Sequence, residues 1–247
     1  MHKMTILSGR GKDGAPEQVS SLTLSRGVLY TIVGNTGSGK SRLIKDIEQL
    51  ADGDSLTGRR ILLDGQAVPL SRREEISAGL VAHLGQNMRF VLDTTVEDFL
   101  KLHAQCRGKS VDFEQILTLT NRITPEPVSM GENLNHLSGG QSRALMIADV
   151  AMICDSPIVL IDEIENAGVD KEQALELLRS QDKLVLVVTH DPHTALMARS
   201  RIVMEGGAIM AYVQRTPQEE ALYETLSIAY RRQRQHQTLL RKGEHLA

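Results

Sequence analysis

The chain has 247 residues, with 28 Lys and Arg against 31 Asp and Glu, for a formal net charge of −3. Hydrophobic residues make up 41% and charged residues 24%, which excludes a disordered, collagenous or disulfide-scaffold chain. Three Phe, four Tyr and no Trp leave few platforms for stacking bases, so neither charge nor aromatic content points to a nucleic-acid partner. The length suits one large domain or two joined lobes with a sizeable core. Cys106 and Cys154 share no metal-ligand spacing and read as free thiols of a reducing compartment. The opening MHKMTILSGRGKDG lacks the apolar stretch of a signal peptide, and no apolar run approaches a bilayer span. A cytoplasmic protein is expected, with any membrane role supplied by a partner.

Short β-branched runs alternate with helix-period segments, the pattern of an α/β protein. Residues 4–7, 19–24 and 28–33 read as strands, 41–50 as a helix, and 61–63 and 80–84 as further strands. Thr94-Thr95-Val96-Glu97 has capping-box spacing, and Val96, Phe99, Leu100 and His103 then recur at helical intervals. A second helix is expected from about Asp112 to Arg122, stopped by Pro125 and Pro127. Residues 87–136 thus form a mostly helical insertion in a strand-rich core. Residues 158–161 and 183–188 suit parallel strands buried on both faces. Gly206-Gly207, between the strand patterns at 202–204 and 208–213, signals a hairpin. From Thr216 the pattern is helical, with Pro217 in the first turn. Leu222, Leu226, Ala229 and Leu240 share one stripe of this tail, and Arg231, Arg232, Arg234, Arg241 and Lys242 crowd its second half. It reads either as a solvated helix packing on its own core or as a dock for an acidic protein, lipid or nucleic-acid partner.

The strand at 28–33 runs into Gly34-Asn35-Thr36-Gly37-Ser38-Gly39-Lys40-Ser41, a G-x4-G-K-S match in strand–loop–helix context. Glycines let successive backbone N–H groups curl around phosphate oxygens, and the helix N-terminus adds a favourable dipole. Lys40 reaches toward the β- and γ-phosphates and the Ser41 hydroxyl can ligate Mg²⁺. Downstream, the strand at 158–161 delivers Asp162 and Glu163 at its C-terminal edge, where open α/β sheets place ligands. Asp162 is the candidate Mg²⁺ ligand, and Glu163 the candidate general base that polarises an attacking water. His190 ends the next strand, poised for a hydrogen bond to a γ-phosphate. His190 and His193 have a possible metal spacing, but no further ligand cluster joins them.

Leu137-Ser138-Gly139-Gly140-Gln141 stands before a helical run, about twenty residues ahead of the Asp162-Glu163 strand. This pentapeptide is identical to the signature motif of ATP-binding cassette (ABC) ATPases, and the chain resembles one complete cassette over about residues 15–213. The resemblance implies a P-loop NTPase core, with a RecA-like parallel sheet and N-terminal antiparallel strands, plus an inserted helical subdomain. On that reading residues 1–86 and 145–213 form the ATP-binding lobe, 87–144 the helical subdomain with the signature, and 214–247 a helical tail. It implies ATP hydrolysis with Mg²⁺, and it gives Gln86 the part of the glutamine that touches Mg²⁺ or the attacking water. Catalytic positions are then Glu163, His190 and Gln86, and metal positions Ser41, Gln86 and Asp162. The nucleotide would meet residues 34–41, Arg42, and Ser138, Gly139, Gly140 and Gln141. Similar cassettes dimerise head to tail, with two ATPs between the phosphate loop of one subunit and the signature motif of the other.

Four departures mark a divergent branch. Residues 1–29 contain no Phe, Tyr or Trp to stack on adenine, and Tyr30 reads as core. Arg42 follows Ser41 where the family has a small hydroxyl residue. The run from Asp162 to Asp170, which would end in the D-loop aspartate, is one residue longer than usual. Asp149 stands where the family commonly has a basic residue. Two classes of function remain: the ATP-driven subunit of a membrane transporter, with a permease docked on residues 87–136, and a soluble ATPase that remodels a protein or nucleic-acid complex.

Overall fold

A computed structural model of the chain describes residues 1–86 and 88–246, the side chains of Asn166 and Ala167 excepted. In chain order the elements are β1 (Lys3–Leu7), β2 (Ser21–Ser25), β3 (Leu29–Val33), α1 (Lys40–Glu48), β4 (Arg60–Leu63), β5 (Gln66–Ala67), α2 (Arg73–Leu80) and β6 (Val81–Leu84). Then come α3 (Val96–Cys106), α4 (Phe113–Ile123), α5 (Gly139–Met152), β7 (Ile158–Asp162), α6 (Lys171–Ser180) and β8 (Leu184–Val188). The chain ends with α7 (Pro192–Met197), β9 (Ser200–Glu205), β10 (Ala208–Gln214) and α8 (Pro217–Arg241).

Strand alternation builds two layers of core. In β7, Ile158 and Leu160 face one cluster while Val159 and Ile161 face another, so a strand apolar at every position is buried on both sides. It lies in a six-stranded sheet of order β10-β9-β3-β8-β7-β6, parallel except for the β9–β10 hairpin at Gly206-Gly207. One face meets α1, through Leu43, Ile44 and Ile47, and the inner face of an antiparallel sheet of order β2-β1-β4-β5. The other face meets α5 and α6, through Ala144, Ile147, Leu175 and Leu178. A third cluster joins Val96 and Leu100 of α3, Ile116 of α4, and Leu145 and Ala148 of α5. Helix α5 is therefore apolar on both sides because it serves two cores. The expected division between residues 144 and 145 falls inside this helix.

Behind the loop that follows β3, Arg59 is fully buried between two carboxylates. Its guanidinium pairs with Glu17 at 2.6 Å and Asp46 at 2.9 Å, and donates to the Gly207 carbonyl at 2.7 Å. Glu17 also accepts from the Gly9 and Ile209 amides at 2.8 and 2.6 Å. A buried charge stripped of its partners would cost several kcal/mol. Here each group is satisfied, and the network fixes the N-terminal segment against the β9–β10 turn.

Three expectations need correction. The capping box at Thr94 and Glu97 is displaced by one residue: Thr95 caps α3 by accepting from the Asp98 amide at 3.1 Å. Helices α2 and α7 and strand β5 are not among the expected elements; α2 buries none of its residues, so it has no apolar period to announce it. The expected stripe of α8 does not pack, since Leu222 and Leu240 are 49% and 59% exposed. The packed face carries Tyr223, Ser227, Tyr230 and Arg234 instead. The surface beneath it is polar and aromatic. His193 of α7 stacks on Tyr223 with ring centroids 5.6 Å apart, and Lys171 lies 4.7 Å from the Tyr230 ring. Arg231 and Arg234 pair with Glu172 and Asp170 at 3.0 and 3.1 Å. Polar partners select a polar face, which hydrophobic periodicity cannot see. Tyr30 is buried as expected; of the two free thiols, Cys154 is buried and Cys106 exposed.

Candidate functional site

Four neighbouring parallel strands end on one edge of the sheet, and the segments leaving them meet there. The loop after β3 contains residues 34–39; Gly34 and Gly39 adopt φ of 150° and 103°. A Cβ on Gly34 would lie 2.2 Å from the Met204 carbonyl oxygen, and one on Gly39 would lie 2.7 Å from Gly207 Cα. Only glycine fits at either position. Gly39 caps α1 without a side chain, leaving the first amides of the helix to an anionic ligand.

The cleft beside this loop has a volume of about 410 Å³. Its walls are Lys12, Thr36, Gly37, Gly39, Lys40, Ser41, Arg42, Gln86, Asp162, Glu163, Val188 and His190. The structure thus gathers the phosphate loop, both carboxylates, the glutamine and the histidine. Asn35, Ser38 and Gly34 belong to the loop without lining the cleft. Asn87, next to Gln86, lies outside the described residues. Ser138, Gly139, Gly140 and Gln141 are not in the wall either. They form the N-terminus of α5, where Ser138 and Gln141 make a reciprocal capping box and the Ser138 hydroxyl donates to Glu126 at 2.7 Å.

Lys40 is 7% exposed, and its ammonium donates to the Gly34 and Asn35 carbonyls at 2.7 and 3.0 Å. Burial pushes its pKa down, while Glu163 and Asp162 pull it back up. Burial also raises Asp162, chiefly against the opposing pull of His83. The Gln86 amide donates to Glu163 Oε2 at 2.6 Å, and His190 Nε2 stands 3.9 Å from Glu163 Oε1. Glu163 itself has φ 45° and ψ 61°, left-handed values that are uncommon without glycine. That backbone turn swings its carboxylate out of the β7 line and over the cleft. A hydroxyl (Ser41), a carboxylate (Asp162) and an amide oxygen (Gln86) make an all-oxygen donor set, suited to a hard divalent cation.

The sequence reading did not foresee several residues here. Lys12, from the segment between β1 and β2, donates to the Gly37 carbonyl at 2.7 Å. Glu165 accepts from the Thr189 hydroxyl at 2.7 Å and the His190 amide at 3.2 Å, which fixes the segment carrying His190. Arg143 of α5 donates to the backbone carbonyls of Gln86 and Asp162 themselves, at 3.2 and 2.7 Å. The lengthened run after Glu163 is taken up by a 3-10 turn, Ile164–Ala167, and by Gly168 at φ 68°. Asp170 then caps α6 and pairs with Arg234. His193 is buried against α8, apart from His190, and no group of three or more His, Cys, Asp or Glu able to hold a metal occurs among the described residues. Asp149 pairs with His103 at 2.7 Å, which accounts for an acid at that position.

A sequence model of the ABC transporter family matches residues 18–166. The chain is 50% identical over 222 residues to an uncharacterized ABC transporter ATP-binding protein of Methanocaldococcus jannaschii, covering 89% of this chain and 85% of that protein. It is 30% identical over 204 residues to the macrolide export ATP-binding/permease protein MacB of Bartonella quintana, covering 77% of this chain and 30% of that much longer protein. A solved ATP-binding subunit of an ABC transporter has the same fold, with a TM-score of 0.65, 22% identity, and coverage of 87% of this chain and 90% of that one. The chain belongs to the ABC transporter family, as a single P-loop ATP-binding domain. It is an ATP hydrolase.

Proposed function

We propose that the protein is the ATP-driven subunit of a membrane transporter, closing head to tail on a second cassette around two ATP molecules and passing that closure to a permease. The observation that carries this reading is an exposed apolar segment directly after Gln86. Val91 is 92% exposed, with Met88 and Leu92 each at 43%, on the segment that starts at a cleft residue. A partner on residues 87–136 would therefore sense the cleft through Gln86 and its bond to Glu163. Among the described residues no helix is long and apolar enough to cross a membrane; on this reading the spanning part is a partner's. MacB joins ATP-binding and permease functions in one protein, and a separate permease subunit would serve the same end here. The protein would then sit at the inner face of the membrane through that partner. The remodelling alternative leans on the lengthened Glu163–Asp170 loop and on the C-terminal tail. Arg231 and Arg234 are spent on ion pairs within the chain, which weakens it.

Ser41, Gln86 and Asp162 would hold Mg²⁺. When bound, it neutralises charge on the β- and γ-phosphates. Lys40 would leave its loop carbonyls for those phosphates, Glu163 would take the proton of the attacking water, and His190 would donate to the γ-phosphate. Tagged Glu163→Gln protein, purified with ATP, should bring down a multi-spanning membrane protein. Recovery of only a soluble complex would sink the transporter reading.

Base recognition should be weak. Among the described wall residues there is no Phe, Tyr or Trp, and the N-terminal segment contributes Lys12 instead. Phosphate and metal contacts then supply most of the affinity, so GTP should displace ATP with a Kd within about tenfold, or ~1.4 kcal/mol. A preference for ATP of a hundredfold or more would mean that another group reads adenine.

A further inference from the structure

Arg143 is 3% exposed in the second turn of the signature helix α5, directly before Ala144, Leu145 and Met146, all buried. Among the described residues no carboxylate lies within ion-pair distance of it. Its guanidinium instead serves four backbone carbonyls. Nη2 donates to Leu84 at 3.3 Å and to Asp162 at 2.7 Å; Nη1 donates to Gln86 at 3.2 Å and to Gly85. Leu84 is the last residue of β6 and Asp162 the last of β7. These strands run side by side in parallel, with Leu84 opposite Ile161, so their terminal carbonyls lie close together at one sheet edge. One planar, forked cation spans them, which a compact ammonium would not.

We propose that Arg143 is a positioning residue for ATP hydrolysis, clamping the backbone of Gln86 and of Asp162 to the helix that begins at Ser138. A buried cation is costly, and here the surrounding contact set is main-chain only. Burial lowers the Arg143 pKa, and Asp162 and Glu165 offset part of that cost. The Gln86 side chain sits 2.6 Å from Glu163, so a slip of its backbone would carry the amide away from the proposed base. The same slip would tilt the Asp162 carboxylate at the end of β7. Because α5 starts with the signature motif, the clamp also makes the second phosphate cradle and the hydrolytic groups of one chain a single body. This proposal rests on the assignment of Gln86, Asp162 and Glu163 given above.

The test measures ATP turnover in Arg143→Met and Arg143→Lys, each alone and combined with Gln86→Ala, with melting curves to show that the variants are folded. A misplacement of about 1 Å at reacting groups can cost a hundredfold in rate. Arg143→Met should lower kcat by roughly ten- to a hundredfold, with KM for ATP changing by less than about threefold, since Lys40 and its loop are untouched. Arg143→Lys should recover part of that loss. On a Gln86→Ala background the Arg143→Met effect should be smaller than in the parent, because one of the two groups it positions is already gone while Asp162 is still displaced. Equal losses on both backgrounds, or a folded Arg143→Met variant with normal kcat, would overturn the proposal. Should Arg143→Met fail to fold, Arg143→Lys carries the same readings, and unchanged turnover there overturns it too. Glu163→Gln run alongside separates the two ideas: normal turnover in that variant would defeat the underlying assignment whatever Arg143 does.

Discussion

Glu163→Gln is expected to bind ATP like the parent protein and to lose turnover by a factor of about a hundred or more, the scale of general-base loss. The substitution keeps the shape of the side chain, and its amide oxygen can still accept the hydrogen bond that Gln86 gives at 2.6 Å. What disappears is the group able to take a proton from water. Binding should survive because its main contributors, the glycine loop and Lys40, lie on β3 and α1 rather than β7. Lys40→Ala gives the opposite pattern: near loss of binding, since the cation facing the phosphates is gone. Equilibrium binding of a labelled nucleotide and phosphate release, measured on both variants, separate the two effects. A Glu163→Gln enzyme that releases phosphate at the parental rate would remove Glu163 from the role of base.

Features governed by local backbone chemistry were legible in the sequence. The glycines of the phosphate loop are demanded by positive φ and by Met204 and Gly207 packed against them, so their spacing announces the turn. Strands β7 and β8 are apolar at successive positions because both faces are covered, and that pattern also carries Asp162, Glu163 and His190 to one sheet edge. The hairpin at Gly206-Gly207 and the Thr216 cap of α8 follow from the same local rules.

Features created by distant partners were not legible. Arg143 acts on residues 19 to 59 positions away in the chain, and a residue's hydrogen bonds to main-chain carbonyls leave no mark in the partners' side chains. One signal was nonetheless available: a lone arginine at the head of the apolar run 144–148 of α5. Glu165 and Lys12 work in the same tertiary way. The tail shows the converse, since its leucines suggested a packed stripe that its true neighbours, His193, Glu172 and Asp170, had no use for.

The isolated protein should be mainly monomeric without nucleotide and should dimerise when ATP binds but is not hydrolysed, as on the Glu163→Gln background. The cleft wall holds Lys40 and Ser41 but none of residues 138–141, and the head-to-tail proposal makes these two separate half-sites of one chain. At the second, Ser138, Gly139 and Gly140 open α5, whose first amides have no partner within the helix. A γ-phosphate seated on Lys40 of one subunit would be met by this second helix N-terminus from the other, and the added charge-assisted donors offset the cost of bringing anionic ligands together. Ser138→Arg breaks the capping box, ends the bond to Glu126, and fills the cradle with a bulky side chain. It should abolish ATP-induced dimerisation while leaving monomer binding through Lys40 intact. Light scattering decides between the outcomes. Dimers that form equally well without ATP, or that survive Ser138→Arg, would place the contact on another surface, and α8, with Leu222, Ile228 and Leu240 exposed, would be the first to mutate.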